Sequence, residues 1–427
     1  MSEPGFPVDR RRLMAGIGAL AGTSLLPLSA FAKTRARVVI VGGGFGGATA
    51  ARILRNLLPS ATITLLEPNA AYTACPFSNL VIGGTRAITE QTFSYDALAG
   101  SGIAVIAEQA TDVDPVARVV TCGDGRTLAY DRLILSPGID FRWNAIDGYD
   151  AAAVDRMPHA WKAGSGTLHL RDQLVAMDDG GLVVMSVPAP PFRCPPGPYE
   201  RASLIANYLK KHKPNSKLLI LDSQDTFSKM PLFREAWERH YPKHLEWRAA
   251  SQDGRVVRVT PDTLTLSTDF EDIHADVANV IPPQKAGEIA ARAGVADATG
   301  WCPIDATSFE STLQPGIHVI GDATIAAPMP KSAFSANLQA KVCAIAVARL
   351  LSEMDAQPTT LANTCYSFIT PDEAVSIAGV YSNKGGKFTN IDGAGGLSPL
   401  GAGVDVRMAE AAQADAWFTA ITGEAFG

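Results

Sequence analysis

The chain has 427 residues, of which 47% are hydrophobic and 19% are charged. This is ample for two or three domains with an ordinary globular interior. The formal net charge of -6, from 43 acidic and 37 basic residues, argues against nucleic acid as a partner.

The first 32 residues have the pattern of an export leader. The basic segment Asp9–Met14 is followed by an apolar, glycine-rich run to Leu28 and by the small-x-small cleavage site Ala30–Ala32. Paired arginines before such a run are typical of a twin-arginine signal. An ordinary secretory signal or an uncleaved anchor is the alternative. We expect a mature protein that begins near Lys33, is periplasmic and does not insert into the membrane.

The most informative local pattern follows the leader. It is an apolar strand, a glycine turn, a helix and a second apolar strand, at Val38–Val41, Gly42–Gly47, Ala48–Leu58 and Thr62–Leu66. A glycine turn alone can serve only tight packing, but this context is that of a dinucleotide-binding fingerprint. Gly42 permits the sharp turn, Gly44 lets the backbone approach a pyrophosphate, and Gly47 lets helix and strand pack closely. Glu67 is positioned to accept hydrogen bonds from ribose hydroxyls.

Two later segments indicate which dinucleotide is bound. Tyr130–Gly138 is a short strand with a Pro-Gly turn, and Gly316–Ala323 is a strand that ends in Gly-Asp. With the first fingerprint, they resemble the FAD motifs of the flavoprotein disulfide reductases. The resemblance implies FAD, with Asp322 holding the ribityl chain and pyrophosphate. A strand-end turn with an Asx cap is the alternative for Asp322.

A cationic segment follows these motifs. Ser332 is a candidate cap for the helix predicted over Leu338–Leu351. The positive end of this helix, together with Lys331, would suit the negative charge of reduced flavin. An exposed lysine beside a helix cap is the alternative.

A second, NAD-binding fingerprint is expected near residue 185 in such reductases. Here the strand Gly181–Met185 runs into the proline-rich segment Ser186–Pro198. Prolines lack the N–H donors that hold phosphate. The sequence therefore predicts a degenerate second domain that does not use nicotinamide.

Six cysteines stand at positions 75, 122, 194, 302, 343 and 365. They form no C-x-x-C pair and no C-x-x-C-H haem attachment motif, so any haem c lies on another polypeptide. Arg193 precedes Cys194, and a neighbouring cation is expected to lower the pKa of a thiol. A packed structural thiol is the alternative. The seven histidines show no metal-ligand spacing, and no metal site is predicted.

Several longer segments closely resemble the flavoprotein subunit of flavocytochrome c sulfide dehydrogenase. They are Glu67–Asn69, Tyr72–Asn79, Pro158–Gly164, Pro191–Arg201, Gly300–Pro303 and Asn363–Ser367. The resemblance implies that Cys75 carries FAD through a thioether bond and that Cys194 and Cys365 form a redox-active disulfide. The family commonly has Tyr-Thr-Cys before the flavin-bearing cysteine, whereas Ala74 intervenes here.

The resemblance implies oxidation of sulfide by thiol-disulfide exchange, with electrons passing to FAD and then to haem c on a cytochrome subunit in a heterodimer. Glu200 is a candidate proton acceptor, and a surface or salt-bridged glutamate is its alternative. The other three cysteines, Cys122, Cys302 and Cys343, are interpreted as packed thiols.

The predicted fold class is α/β, with two Rossmann-like dinucleotide-binding domains as in glutathione reductase and a C-terminal α+β domain at the cytochrome interface. The predicted segments are a leader at 1–32, a discontinuous FAD domain at 33–155 and 270–345, a degenerate NAD-like domain at 156–269, and the C-terminal domain at 346–427.

Three other functions are compatible with these motifs. One is a related sulfur-oxidation flavoprotein that acts on thiols or persulfides, and another is an accessory protein that reactivates a sulfur-oxidising partner. The third is a quinone reductase, against which the lack of an evident amphipathic membrane helix at the C-terminus argues. A pure scaffold would need neither flavin nor disulfide, so the retained cysteines favour an enzyme.

Overall fold

A computed structural model describes residues 35–427, and the predicted leader at 1–32 lies outside the described residues. The first domain contains, in chain order, β1 (Arg37–Val41), α1 (Phe45–Leu57), β2 (Thr62–Leu66), β3 (Ala71–Thr73), α2 (Ser78–Ile82), β4 (Thr92–Ser94), α3 (Asp96–Gly100), β5 (Ala104–Ile106), β6 (Ala110–Asp114), β7 (Val119–Cys122), β8 (Thr127–Ala129), β9 (Arg132–Leu135) and β10 (Ile139–Phe141).

The central domain follows without a break. Its elements are α4 (Ser165–Ala176), β11 (Leu182–Val187), α5 (Gly197–His212), β12 (Lys217–Asp222), α6 (Met230–His240), β13 (Leu245–Arg248), β14 (Arg258–Thr260), β15 (Thr265–Ser267), β16 (Asp272–His274) and β17 (Val277–Val280).

The chain then returns to the first domain and ends in a third. The returning elements are β18 (Gln284–Ala286), α7 (Ile289–Arg292), β19 (Ile317–Val319) and α8 (Ala333–Leu351), and the C-terminal domain consists of β20 (Thr360–Phe368), β21 (Ala374–Ser382), β22 (Thr389–Asn390), β23 (Gly396–Leu397) and α9 (Val404–Phe426).

Two parallel sheets confirm the predicted pair of Rossmann-like domains. The first has the strand order β19-β9-β1-β2-β5, and the second has the order β13-β12-β11-β17. The strands β1 and β2 are buried along almost their whole length, as expected when helices cover both faces of a parallel sheet. The C-terminal domain is an antiparallel hairpin of β20 and β21 with α9, which agrees with the predicted α+β class.

The predicted motifs meet at one edge of the first sheet. Ser136 N–H, after β9, donates to the Val41 carbonyl at 2.8 Å, and Ile320 N–H, after β19, donates to the Leu135 carbonyl at 3.0 Å. The carboxyl ends of β1, β9 and β19 therefore lie side by side. Ligands of open parallel sheets bind at this edge.

The structure differs from the predicted boundary between residues 269 and 270. Strand β16 pairs with β15, and β17 joins the central sheet beside β11. The chain therefore returns to the first domain only after Val280. This pairing is long-range, and no local composition change marks it in the sequence.

Helix α8 lies between the two outer domains. Within residues 35–427 it is the one helix long and apolar enough to cross a membrane by length and composition, with a hydropathy of 1.2. Of that apolar stretch, 56% is buried inside the protein. The helix packs against α1 and β20.

Candidate active site

The glycine turn is shaped for close backbone packing. Gly42 has a φ of +96°, and a Cβ there would lie 2.3 Å from the Ser136 carbonyl oxygen. At Gly47, a Cβ would lie 1.8 Å from the Gly42 carbonyl oxygen. Gly47 does not line the cavity described below, whereas Gly42 and Gly44 do. Gly42 and Gly47 thus both allow close packing, and Gly42 and Gly44 also line the cavity.

Glu67 holds the turn from the neighbouring strand. Its Oε2 accepts a hydrogen bond from Gly43 N–H at 2.9 Å, and its Oε1 accepts one from Asn69 Nδ2 at 2.7 Å. Glu67 is 9% exposed and lines the cavity. The carboxylate therefore stands beside the turn, as the sequence predicted, and is oriented by backbone and amide donors.

Asp322 lies in the turn after β19 and also lines the cavity. Its Oδ1 is buried without a hydrogen-bond partner, and its Oδ2 lies 4.0 Å from Arg193 Nε. Burial raises the pKa of Asp322, while Arg193 and Lys331 act to lower it. A buried polar atom without a partner carries a free-energy cost, so Oδ1 is available to a ligand group.

Lys331 is turned away from the cavity. Its Nζ donates to the carbonyl oxygens of Asp322 at 2.8 Å and Thr324 at 2.6 Å, and it lies 3.8 Å from the centre of the Trp301 ring. Its own carbonyl accepts from Cys194 N–H at 2.8 Å. In the structure Lys331 thus fixes the turn of Asp322 and the loop of Cys194. The adjacent Ser332 caps α8 through Ser335 N–H, as predicted.

The residues present fit FAD. The cavity has a volume of about 990 Å³, which is within the range of cofactor pockets. Helix α1 begins at Phe45 with neither a side-chain cap nor an acidic residue in its first turn, so its free N–H groups suit a pyrophosphate. The unpartnered Oδ1 of Asp322 and the open turn at Gly44 belong to the same wall.

Cys75 lies on this wall, between β3 and α2. Its Sγ is 3.8 Å from the Trp161 carbonyl oxygen, and its own carbonyl accepts from Ser78 Oγ at 2.7 Å. The thiol is partly exposed and faces the cavity. The intervening Ala74 is fully buried and donates its N–H to the Gln91 carbonyl at 2.7 Å, so the departure is absorbed within the fold.

Cys194 and Cys365 come from different domains and line the same cavity. Cys194 follows β11 in the proline-rich loop, with a φ of +55°, and Cys365 lies in β20. Both are free thiols in the structure. Asn363 Nδ2 donates to Cys365 Sγ at 3.2 Å.

The expectation of a lowered thiol pKa at Cys194 is wrong. Burial raises the pKa of Cys194, and the charges of Cys365 and Glu200 raise it further, while Lys229 and Arg193 lower it less. Arg193 directs its guanidinium to the Trp161 carbonyl and toward Asp322. Desolvation therefore outweighs the neighbouring cation at this sulfur.

Glu200 lies in the first turn of α5 and lines the same cavity. Its Oε2 accepts from Asn79 Nδ2 at 2.6 Å, and its Oε1 accepts from Phe368 N–H at 2.9 Å. Burial raises its pKa, and these two hydrogen bonds act in the opposite direction. Glu200 is thus neither a surface residue nor a salt-bridged one, and it links all three domains.

Arg201, the next residue, received no role in the sequence interpretation. It is 2% exposed, and its guanidinium donates to Asn79 Oδ1 at 3.0 Å and to Asn279 Oδ1 at 2.9 Å. It also donates to the carbonyls of His159 at 2.8 Å and Ala160 at 2.5 Å. Arg201 and Asn79 both lie in segments that carried the resemblance, which was the only signal for them.

Lys229 was not singled out at all. It is 3% exposed, and its Nζ donates to the Cys365 carbonyl at 2.9 Å and to Ser367 Oγ at 2.7 Å. A lysine in a turn before a helix is ordinarily solvated, so no local pattern indicated this position.

A second cavity, of about 330 Å³, lies against Cys365. Its walls include four prolines and residues of β21 that include Gly379 and Tyr381. Cys365 lines both cavities, whereas Cys194 lines only the first. Within residues 35–427, no group of three or more His, Cys, Asp or Glu side chains is arranged to hold a metal ion.

Three family profiles match separate segments of the chain. The profile of the central part of "Sulfide dehydrogenase [flavocytochrome c] flavoprotein chain" matches residues 167–282. The profile "Flavocytochrome c sulphide dehydrogenase, flavin-binding" matches residues 357–426. The profile "Pyridine nucleotide-disulphide oxidoreductase" matches residues 36–167.

Individual proteins give a consistent result. The flavoprotein chain of sulfide dehydrogenase from Chlorobaculum thiosulfatiphilum is 62% identical over 45 residues, which are 10% of this chain and 94% of that sequence. The mitochondrial sulfide:quinone oxidoreductase of Mus musculus is 22% identical over 314 residues, which are 69% of this chain and 66% of that protein.

A solved structure supports the fold. The sulfide:quinone oxidoreductase from Aquifex aeolicus superposes with a TM-score of 0.71 at 19% identity, covering 91% of this chain and 92% of that one. At this identity the superposition shows a shared fold.

Proposed function

The chain belongs to the sulfide dehydrogenase (flavocytochrome c) flavoprotein family, a group of sulfide-oxidising flavoproteins, and from this premise we propose that it oxidises sulfide through a Cys194–Cys365 disulfide and FAD. We further propose that FAD is bound covalently through Cys75, that a c-type cytochrome chain accepts the electrons, and that the enzyme acts in the periplasm.

One observation carries this proposal. Cys194 and Glu200, from the proline-rich segment, and Cys365, from β20, line one cavity with the dinucleotide turn and Asp322. Two cysteine sulfurs, a partly buried carboxylate and a cofactor cradle therefore share a cavity. This set of groups suits two-electron oxidation of a small sulfur nucleophile.

The residues of the chain account for the exchange step. The sulfide anion attacks one sulfur of the disulfide, so a new S–S bond forms, the Cys194–Cys365 bond breaks, and its electron pair remains on the other cysteine as a thiolate. Glu200, as a carboxylate, takes the proton of the resulting persulfide. A second sulfide or a sulfur chain attacks the outer sulfur of the persulfide, so a polysulfide forms, the persulfide S–S bond breaks, and both cysteines are left reduced. Bound FAD would supply the acceptor for the electron pair of the reduced cysteines, so that their disulfide is restored, and it could release electrons one at a time.

The second cavity supports an approach to Cys365 that does not cross the flavin cradle. Because FAD would fill the first cavity, a small anion needs another route to the disulfide. The cavity beside Tyr381 and Gly379 supplies one. Its volume of about 330 Å³ admits a sulfide ion or a short sulfur chain.

The experiment is sulfide-dependent reduction of a c-type cytochrome by the purified holoenzyme and by Cys194→Ser and Cys365→Ser. We expect both variants to lose turnover, while Cys122→Ser, a buried thiol outside the cavity, retains it. Undiminished turnover in both active-site variants would overturn the mechanism. Parallel assays with a quinone acceptor, thiosulfate, polysulfide and a low-molecular-weight persulfide distinguish the related flavoprotein functions.

The periplasmic location has its own test. Replacing Arg10 and Arg11 by lysine should retain the protein in the cytoplasm, as seen by cell fractionation. Unchanged export of this variant would point to an ordinary secretory signal.

A further inference from the structure

Lys229 is a buried cation beside the sulfur pair. It is the residue before α6 (Met230–His240), and it has a left-handed backbone with a φ of 63°. Such a conformation is uncommon for a residue other than glycine. The side chain, 3% exposed, reaches from the central domain to the C-terminal hairpin.

The ammonium group is satisfied only by neutral acceptors. Nζ donates to the carbonyl oxygens of Cys365 at 2.9 Å and Val375 at 3.3 Å, and to Ser367 Oγ at 2.7 Å. In the described part of the chain, no carboxylate oxygen lies within the 4.0 Å ion-pair distance of Nζ. All three N–H donors are thus used, but the charge itself has no direct counter-ion.

An isolated buried charge is costly. The groups whose charges face Lys229 are Cys365 of β20, Glu200 of α5, Cys194 of the proline-rich loop and Glu410 of α9. Burial lowers the pKa of Lys229 to about 8, and each of these four groups acts to raise it. At neutral pH the lysine therefore remains mostly protonated, although it lacks a paired carboxylate.

We propose that Lys229 is the counter-charge for the anion that enters the site when the Cys194–Cys365 disulfide is opened. The inference rests on the proposed function, because it needs that disulfide. In the exchange, one S–S bond breaks, another forms to the incoming sulfur, and one negative charge is left on a cysteine sulfur. The ammonium offsets this charge in a region that water does not screen.

Lys229 is accordingly a positioning residue. Its contact with the Cys365 carbonyl fixes the strand that presents the sulfur, and its charge stabilises the thiolate over the thiol. A purely structural lysine, which only ties the hairpin to the central domain, would have the first effect and lack the second. The two roles are therefore separable by measuring the charge state of the sulfur.

The test uses full-length holoenzyme and the variants Lys229→Met, Lys229→Gln and Ser367→Ala. Glutamine keeps two N–H donors without a charge, and Ser367→Ala removes one acceptor of the ammonium and leaves the charge. The disulfide is equilibrated with dithiothreitol buffers, and the reduced protein is alkylated with iodoacetamide between pH 6 and 9. Mass spectrometry then quantifies the two cysteines separately.

We expect both Lys229 variants to lower the alkylation rate of the reduced cysteines by tenfold or more at pH 7, because the thiolate fraction falls when the ammonium is removed. Ser367→Ala changes this rate by less than threefold. The difference between wild type and variants shrinks as pH rises above about 8, because the wild-type ammonium then loses its proton.

A further measurement uses wild-type protein alone, so it does not depend on a variant that folds. It follows the alkylation rate of the reduced cysteines as a function of pH. Well below a thiol pKa, the thiolate fraction rises tenfold per pH unit. Loss of the Lys229 proton flattens this rise above pH 8, and a full tenfold rise per unit up to pH 9 would overturn the proposal.

The outcomes separate this inference from the proposed function. If oxidised wild-type protein contains no Cys194–Cys365 disulfide, the proposed function itself is refuted. A disulfide that forms normally, with alkylation rates in the Lys229 variants within threefold of wild type at pH 7, shows a merely structural lysine.

Discussion

Replacing Glu200 by glutamine tests the proton acceptor most directly. The carboxylate accepts from Asn79 Nδ2 at 2.6 Å and from Phe368 N–H at 2.9 Å. Glutamine is nearly isosteric, but it has one acceptor oxygen and one donor NH₂ group. Whichever way the amide is placed, one of the two donors faces another donor.

Two magnitudes follow from this geometry. A buried N–H without an acceptor costs about 1–3 kcal/mol, so the melting temperature of Glu200→Gln should fall by about 2–6 °C. Loss of a general base costs about 10²- to 10⁴-fold in rate. A variant that is folded at assay temperature and yet at least 100-fold slower would therefore separate catalysis from stability.

The pH dependence gives the sign of the effect. Burial raises the pKa of Glu200 above the ordinary 4.5, and the hydrogen bonds from Phe368 and Asn79 limit the rise. The base must be ionised to act, so wild-type turnover declines as pH falls through the raised pKa. The substrate also ionises, but it does so in both proteins, and the wild-type to variant rate ratio isolates Glu200.

The assay is sulfide-dependent cytochrome c reduction between pH 5 and 9, with flavin content and melting temperature measured on the same samples. Glu246→Gln, an exposed carboxylate of the central domain, is the matched control and should match wild type. A Glu200→Gln rate within threefold of wild type, with a rate ratio independent of pH, would refute the role of Glu200.

Three further perturbations have definite expected outcomes. Gly47→Ala places a Cβ 1.8 Å from the Gly42 carbonyl oxygen, so the flavin content of the protein should fall at least tenfold. The flavin content is read from the ratio of absorbance at 450 and 280 nm. The control Gly423→Ala, which has open space around the added Cβ, should bind flavin normally. Cys75→Ala should abolish the flavin fluorescence of the denatured protein band, and persistence of that band would contradict the thioether. Burial lowers the pKa of His159 to about 3, so the free energy of unfolding falls as pH drops below the unfolded-state pKa of 6.5. The loss is about 2–3 kcal/mol at pH 4.5. In His159→Asn, the urea midpoint should therefore fall less between pH 7 and pH 4.5 than it does in wild type.

The cofactor-binding turn was predictable because the residues that form it are close together in the sequence. Gly42, Gly44 and Glu67 lie within one strand-turn-helix-strand unit, and each has a conformational or hydrogen-bonding reason readable from residue type. The structure places them on one wall of the cavity. The role of Asp322 was implied by the resemblance of its strand and Gly-Asp turn to a known FAD motif.

The meeting of Cys194 and Cys365 was not derivable in this way. They are far apart along the chain, six cysteines allow many pairings, and only the resemblance to a known family joined them. Their place on one cavity depends on how the C-terminal hairpin lies beside the proline-rich loop, whose Pro195 and Pro196 line the second cavity with Cys365. Lys229 depends on the same packing, which is why a turn lysine of ordinary appearance proved to be buried.

The thiol pKa of Cys194 failed as a sequence-based expectation for a physical reason. An adjacent arginine is visible in the sequence, but burial is a property of the folded protein, and here it is the larger effect. The domain boundary failed similarly, because β17 joins the central sheet through pairing with a strand about ninety residues earlier. Local residue type therefore predicts a cofactor-binding turn better than it predicts the burial of a side chain or a long-range strand pairing.

The central domain shows how a dinucleotide fold is reused. In a functional NAD domain, the helix after the first strand presents its N-terminus to a pyrophosphate. Here the corresponding helix α5 follows β11, but prolines occupy the turn, and Glu200 lies in the first helical turn. The helix dipole favours a negative charge at this position, whether from a ligand or from the chain itself. The carboxylate of Glu200 already supplies that charge beside Cys194. The end of the helix that would bind a nicotinamide dinucleotide is therefore placed to stabilise the proposed proton acceptor.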